Sequence, residues 1–384
     1  MTGIHPFRNH LPVRIRFGDG VSEELGEVLA GDGAARPLVI VDEGLADLVP
    51  GVARMLDQAA AGERYVKAPG EPTIELVDSV AQLLSESSCD AVVAIGGGST
   101  MDTGKAARLV AGQGGPYRRF VGGGVTYEPP RIPLVCVPTT AGTGSEVSGG
   151  AVITDEQTHV KAGIAGPLLR AQHALVDPVL THGLPPSVTA QTGIDALAQA
   201  IAAVVVRVAT PIGDAVALES VRLAAGALPQ VVKDGRDAEA RSRMACASLM
   251  AGLAMNISDC GSEHSLGQAI GGMFGLPHGL TIGLVLAETM DHDRHAVPDR
   301  FARIAEALGE APGEDGQGAV RGVRRILAEI EFPTLRAAGI DESQLDALAD
   351  LALADGFIQV APAEWPKPAV IAAYSQGLEL GDRR

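Results

Sequence analysis

The apolar positions in the first half of the chain fall into short runs that are separated by segments of helical spacing. The runs are rich in Val and Ile and have the length of buried strands. They predict strands over residues 37–41, 90–95, 132–137, 152–154 and 174–176, and a helix over 74–86. Buried β-branched strands that alternate with helices indicate parallel pairing in an open α/β sheet.

The pattern changes at Leu184-Pro-Pro-Ser187, after which the apolar spacing is almost entirely helical. The helices predicted there cover residues 187–206, 213–228, 238–256, 264–273, 299–308, 318–330 and 342–354. Ser187 is a favourable N-cap, and the two prolines before it suit a boundary. We therefore expect an α/β dinucleotide-binding domain over residues 1–184, with an open, mostly parallel sheet. An all-α metal- and substrate-binding domain is expected over 185–384.

Composition and charge narrow the class of protein. The 384 residues carry a formal net charge of -17, which argues against nucleic acid and anionic membranes as partners. The four cysteines include no CxxC pair, and no long uncharged apolar stretch or signal-like N-terminus is evident. These features predict a soluble, cytoplasmic protein with reduced thiols.

A glycine-rich turn follows the second predicted strand. Residues 95–105 read Ile-Gly-Gly-Gly-Ser-Thr-Met-Asp-Thr-Gly-Lys, and the turn opens a helix. Glycines let backbone approach a ligand closely, and a helix N-terminus offers free N–H groups, a combination that suits a pyrophosphate. The segment is neither GxGxxG nor a P-loop, so a tight turn without a ligand stays open as the alternative.

Two further strand ends are expected at the same edge of the sheet. Asp42 follows the first strand, where a carboxylate can accept hydrogen bonds from ribose hydroxyls and repel a 2′-phosphate, so NAD is favoured over NADP. The third strand leads into Pro-Thr-Thr-Ala-Gly-Thr-Gly-Ser-Glu at 138–146, whose small side chains can face phosphate or amide groups.

Candidate metal ligands lie in the helical half. Asp195 and Gln199 are four residues apart on one predicted helix, His264 stands on another with Gln268 one turn later, and His278 follows a predicted helix end. Carboxylate and imidazole suit Fe(II), Zn or Mn, and an amide oxygen can complete the set. By spacing alone, the alternative that these histidines are structural residues and bind no metal stays open.

With these motifs in order, the chain resembles the iron-containing (group III) alcohol dehydrogenase family from end to end. The resemblance is carried by GGGS-x-x-D-x-x-K at 96–105, PTTAGTGSE at 138–146, Val-Asp-Pro at 176–178, Gly-Ile-Asp-Ala-Leu at 193–197 and Leu-Pro-His-Gly at 276–279. It implies a dehydroquinate synthase-like fold with a metal in a cleft between the two domains. It also implies NAD(P)-dependent interconversion of alcohols with aldehydes or ketones, in a homodimer or larger homo-oligomer.

The resemblance also implies roles for individual residues. It gives Asp195, His264 and His278 as metal ligands, and His264, His278 and Lys161 as catalytic residues, with Lys161 near the nicotinamide. The implied cofactor contacts are Asp42, Gly97, Gly98, Ser99, Asp102, Thr139, Thr140, Thr143, Ser145 and Lys161.

Several positions depart from the family pattern. Gln199 and Gln268 stand where the family has histidines, and since an amide is a weaker ligand and no acid or base, a weakly held Fe(II) or Zn is expected. Gly149, Gly150 and Met255 predict an enlarged substrate pocket. The alternatives left open are a maleylacetate-reductase-like enzyme, a lyase resembling dehydroquinate synthase and a metal-free nucleotide-binding protein without turnover.

Overall fold

The computed structural model describes Phe7, residues 9–122, Glu128 and residues 130–157 and 160–381. These residues form two compact units: an α/β unit, Asn9–Leu184, and a helical unit that comprises the described residues from Pro185 onward together with Phe7. The strands of the α/β unit are β1 Arg14–Phe17, β2 Pro37–Asp42, β3 Glu63–Lys67, β4 Ala91–Gly96, β5 Leu134–Pro138, β6 Gly150–Asp155, β7 Val160–Ala165 and β8 His173–Val176. Its helices are α1 Leu25–Gly31, α2 Leu45–Leu48, α3 Pro50–Gln58, α4 Ile74–Glu86 and α5 Gly98–Gln113.

Six of the strands form one sheet in the order β1-β8-β5-β4-β2-β3, and every pairing in it is parallel. Alternate side chains of β2 enter different cores. Leu38 and Ile40 belong to the core that includes α4 and α5, and Val39 and Val41 belong to the core that includes α1 and α3. The sheet is therefore covered on both faces, which confirms the predicted open, parallel α/β architecture.

The strands absent from the sequence prediction are β1, β3 and β7. The first two are the edge strands of the sheet, and their sequences, Arg-Ile-Arg-Phe and Glu-Arg-Tyr-Val-Lys, mix charges with few apolar residues. Because an edge strand is partly solvated, it lacks the continuous apolar run of a central strand. β7 pairs with β6 in a separate antiparallel hairpin.

The helical unit is built from nine α-helices among the described residues. They are α6 Pro186–Val205, α7 Pro211–Lys233, α8 Ala238–Ile257, α9 Ser262–Phe274, α10 His278–Asp293, α11 Pro298–Ala307, α12 Gln317–Glu329, α13 Leu345–Ala354 and α14 Lys367–Gly381. The expected N-cap at Ser187 is wrong: α6 begins one residue earlier, with Pro186 in its first turn. A proline is tolerated there because the first helical N–H has no intrahelical partner.

By length and composition alone, helices α6 and α7 could span a bilayer, although each contains at least one charged residue. In α6, however, 83% of the apolar window is buried within the protein. It also carries the buried Asp195 near its middle. These properties are those of a core helix in a soluble protein.

Candidate metal and dinucleotide sites

The carboxyl ends of β2, β4 and β5 lie at one edge of the sheet, as their parallel register requires. The glycine turn connects β4 to α5 at this edge. A Cβ at Gly96 would lie 2.5 Å from Oδ2 of Asp42, and one at Gly98 would lie 2.7 Å from Cγ2 of Thr143. The absence of a side chain at Gly96 and Gly98 therefore lets this turn sit close to the end of β2 and the loop after β5.

The Asp42 carboxylate is held by the turn itself. Its Oδ1 accepts a hydrogen bond from the Thr100 hydroxyl at 2.6 Å, and its Oδ2 accepts one from the Gly97 N–H at 3.4 Å. Nζ of Lys67, at the end of β3, lies 3.5 Å from Oδ1. The side chain is still 28% exposed, which leaves it accessible to a ligand's hydroxyl groups.

The buried ammonium group of Lys105 connects α5 to the loop after β5 and to β6 at this edge. Nζ of Lys105 donates to the hydroxyl of Ser145 at 2.7 Å, the hydroxyl of Ser148 at 3.2 Å and the carbonyl of Gly150 at 2.8 Å, and it lies 3.3 Å from Oδ1 of Asp102. Asp102 also accepts from the Ser145 hydroxyl at 2.6 Å and from the N–H of Val152 at 2.9 Å. The Asp102 carboxylate thus ties α5 to the loop after β5 and to β6.

The other predicted cofactor contacts surround the turn. The Thr139 N–H donates to the Gly96 carbonyl at 2.9 Å, and Thr143 Oγ1 accepts from the Ser145 N–H at 3.2 Å. Thr140 is the side chain nearest to a Cβ built at Gly97, and Ser99 lies in the first turn of α5. Lys161 is in β7, but its side chain lies outside what the structure describes.

In the helical unit, α6, α9 and α10 bring the candidate ligands together. Asp195 and Gln199 lie one turn apart on α6, and His264 is in the first turn of α9. His278 lies past the end of α9, which stops at the left-handed Gly275, and it is also the first residue of α10, which starts after Pro277. A Cβ at Gly279 would overlap the Gln191 carbonyl, so glycine here lets α10 pack on α6 beside Asp195.

The ligand atoms of Asp195, His264 and His278 all lie within 4.8 Å of one another. Oδ1 of Asp195 is 3.6 Å from Nε2 of His264 and 3.5 Å from Nε2 of His278. Neighbouring ligand atoms around a tetrahedral ion with bonds of about 2.1 Å are roughly 3.4 Å apart. Asp195 and His264 are buried, whereas the His278 side chain is 31% exposed.

Two buried acceptors in this cluster have no hydrogen-bond partner: Oδ1 of Asp195 and Oε1 of Gln199. Buried polar atoms are rarely left unsatisfied, and an ion is one of the groups that would satisfy them. A carboxylate, two imidazoles and an amide oxygen around a common point are a donor set for a divalent cation. The residues present therefore fit a metal.

Burial opposes ionisation of Asp195, but His278 and His264 outweigh it and lower the pKa of that carboxyl. Burial alone would also lower the pKa of His264, yet Cys260, Asp195 and Glu263 raise it well above its usual value. The cluster thus favours positive charge at the position between Asp195 and His264. A cation bound there would displace a proton from the imidazole.

The comparisons with known proteins decide the family. The model of the iron-containing alcohol dehydrogenase family matches residues 12–178, and that of the C-terminal part of the Fe-containing alcohol dehydrogenase family matches residues 189–378. This chain belongs to the iron-containing alcohol dehydrogenase family. It is accordingly an oxidoreductase that acts on CH–OH groups.

Related members of the family align with nearly the whole chain. A choline dehydrogenase of Bacillus subtilis is 35% identical over 92% of this chain and 90% of its own length. An NAD-dependent methanol dehydrogenase of Bacillus methanolicus is 35% identical over 92% and 94%. The crystal structure of a 1,3-propanediol oxidoreductase has a TM-score of 0.92 and 31% identity, over 97% of this chain and all of that chain.

In this family member, one motif residue and one of the departing positions have structural explanations. Asp177 of the Val-Asp-Pro segment accepts from the Ser22 hydroxyl at 2.6 Å and from the Val179 N–H at 3.1 Å, and so fixes the chain after β8. At Gly149, a Cβ would lie 2.7 Å from the carbonyl oxygen of Gly166. The β6–β7 hairpin therefore accounts for Gly149, and the predicted opening of the pocket depends on Gly150 and Met255.

Sequence reasoning missed two charged residues. Lys67 is buried beside Asp42, and Glu263 is buried beside His264. For Lys67 no sequence signal was available, because it ends β3, an edge strand absent from the sequence prediction, and its pairing with Asp42 depends on the strand register. For Glu263, the available signal was an acidic residue directly before a candidate ligand.

Proposed function

We propose that the chain catalyses NAD(H)-dependent, metal-assisted interconversion of an alcohol with an aldehyde or ketone. In this proposal the N-terminal domain, residues 1–184, binds the dinucleotide, and the helical domain, 185–384, binds the metal and the substrate. The observation that carries it is the cluster of Asp195, His264 and His278, with buried acceptors that lack partners. The NAD dependence of the related methanol dehydrogenase supports the choice of dinucleotide.

The α/β unit would hold NAD at the carboxyl edge of its sheet. The N–H groups at the start of α5 would bind the pyrophosphate, and Asp42 would accept from the ribose hydroxyls. Because Asp42 is fixed by Thr100 and Gly97, its carboxylate is oriented before the cofactor arrives. Bound NAD supplies hydride exchange with the carbon that bears the substrate oxygen.

The helical unit would hold Fe(II) or Zn through Asp195, His264, His278 and Gln199. A divalent cation there supplies a Lewis acid that stabilises negative charge on the substrate oxygen. Asp195 and His264 are buried, which excludes water from them, and in this proposal the substrate approaches from the side of the partly exposed His278. Gln199 and Gln268 cannot carry a proton, so neither serves as general acid or base.

The remaining assignments are part of the same proposal. The described cysteines are all free, as is usual for proteins of the reducing cytoplasm.

β1 is an edge strand with Ile15 and Phe17 exposed, a surface that suits association into a homodimer or larger homo-oligomer. Light scattering after size exclusion would test that association.

The catalytic proposal is tested by chelating the protein exhaustively and screening NADH oxidation with aldehydes, ketones and oxo acids, with and without added Fe(II) or Zn(II). We expect turnover only after metal is returned, and none with His264→Ala. His295→Ala, in the same unit but exposed, is the matched control and should behave as the wild type. Unchanged activity after chelation would refute the metal's role, and NADH binding without turnover on any carbonyl would refute the reaction.

A further inference from the structure

Glu263 is a buried carboxylate directly before the candidate ligand His264, in the first turn of α9. Its Oε1 lies 2.7 Å from Nδ1 of His264 and accepts a hydrogen bond from the Gly261 N–H at 3.0 Å. Gly261 is the N-cap of α9 and gives the helix no side-chain cap. One carboxylate oxygen therefore fixes both the start of the helix and one nitrogen of the imidazole.

The contact determines which nitrogen of His264 can bind a metal. An ionised Glu263 can only accept a hydrogen bond, so the proton of a neutral His264 ring resides on Nδ1. The lone pair is then on Nε2, which is the nitrogen facing Asp195 Oδ1 at 3.6 Å. A carboxylate that holds the distal N–H of a ligand histidine also makes the ligand nitrogen more basic.

Glu263 also bears on the charge of the site. Of the four proposed ligands, only Asp195 carries a negative charge, and Gln199 is a neutral, weak donor. A divalent cation held by this set would leave net positive charge in a buried location, which is costly. The Glu263 carboxylate, one imidazole away, supplies a second negative charge that offsets it.

We propose that Glu263 is a positioning residue for the metal: it holds His264 with Nε2 directed to the cation and balances the cation's charge. This inference rests on the metal site proposed above. It gives the site a means of retaining metal although Gln199 is an amide.

The test measures metal binding by the full-length, metal-free protein. Co(II) and Zn(II) affinities are obtained by competition with a chromophoric chelator, and the visible spectrum of bound Co(II) reports coordination. We expect Glu263→Ala to weaken binding by roughly 10- to 100-fold and to alter the Co(II) spectrum. Glu263→Gln keeps an oxygen that can accept from Nδ1–H but removes the charge, so it should keep the wild-type Co(II) bands and bind more weakly than the wild type.

Glu288→Gln is the matched control. Glu288 is a buried glutamate of the same unit that pairs with Arg324 at 3.5 Å instead of with a ligand. Its substitution should leave both metal affinities and the Co(II) spectrum unchanged. Thermal unfolding of each metal-free variant identifies any loss of fold, and Glu263→Gln, which retains an acceptor for Gly261, remains informative if Glu263→Ala unfolds.

Failure of the inference differs from failure of the proposed function. If the wild type binds one metal ion, His264→Ala does not, and both Glu263 variants bind like the wild type with unchanged spectra, Glu263 has no role and the metal site stands. If the wild type binds neither Co(II) nor Zn(II), the metal site itself is refuted, and the role of Glu263 with it.

Discussion

Replacing Lys105 by methionine should destabilise the α/β unit strongly. The side chain is fully buried, and its ammonium donates to two hydroxyls and a carbonyl and lies beside the Asp102 carboxylate. Methionine fills most of the same space but cannot donate. Removing one partner of a buried ion pair costs about 3–5 kcal/mol, because the other charge is left uncompensated.

The contacts that survive place the expected cost near the lower end of that range. Asp102 keeps the Ser145 hydroxyl and the Val152 N–H, and its side chain is 15% exposed. We therefore expect a loss of about 3 kcal/mol, which for a unit of this size corresponds to a fall in Tm of roughly 6–12 °C. NADH binding should weaken too, because Lys105 joins the segments that would contact the cofactor.

Circular dichroism follows thermal unfolding, and NADH fluorescence gives the affinity. Lys233→Met, at the exposed end of α7, is the control and should change stability by less than about 0.5 kcal/mol. Adding Asp102→Asn to Lys105→Met should cost less than the sum of the single changes, since the two residues share one interaction. A Tm within about 2 °C of the wild type, or strict additivity, would refute the reasoning.

Three further outcomes follow from the structure. Gln199→His should tighten Zn(II) binding in a chelator competition, and unchanged affinity would remove residue 199 from the ligand set. Gly149→Ala should cost about 1–3 kcal/mol in urea unfolding because its Cβ would meet the backbone of Gly166, whereas Gly150→Ala, with open space around it, should be nearly neutral; equal effects would contradict this. Burial raises the pKa of Asp293 to about 7, so its protonated form stabilises the fold at low pH and this contribution is lost as pH rises. Stability relative to Asp293→Asn should fall by about 4 kcal/mol between about pH 4 and pH 8, and a flat difference would show that Asp293 titrates normally.

The parts of the fold that could be predicted are those whose burial leaves a regular pattern of apolar residues in the sequence. Central strands such as β4 are buried on both faces and therefore appear as continuous apolar runs, and α4 shows one clear apolar stripe. The edge strands β1 and β3 carry no such signal, because solvent replaces a neighbour on one side. α10 was missed because its first turn begins with a histidine and a glycine, which are weak helix formers.

Sequence spacing could predict that Asp195 and Gln199 lie side by side on one helix, because residues four apart share a face. It could not place the Glu263 carboxylate against His264, since adjacent residues on a helix do not ordinarily face each other. Nor could it show that Gly149 is required by the backbone of Gly166, which depends on how the β6–β7 hairpin closes.

If Asp42 binds the ribose as proposed, its attachment to the glycine turn constrains how coenzyme preference could be re-engineered. Substituting this carboxylate to admit a 2′-phosphate would also strip Thr100 of its acceptor and release a tether on the Gly97 backbone. Lys67 would keep its bonds to the carbonyls of Ala68 and Gly70 and would lose its nearest anion. A switch toward NADP would thus need compensating changes in α5 as well as at the end of β2. A single substitution at residue 42 would lower the selectivity for NAD and weaken the binding of both coenzymes.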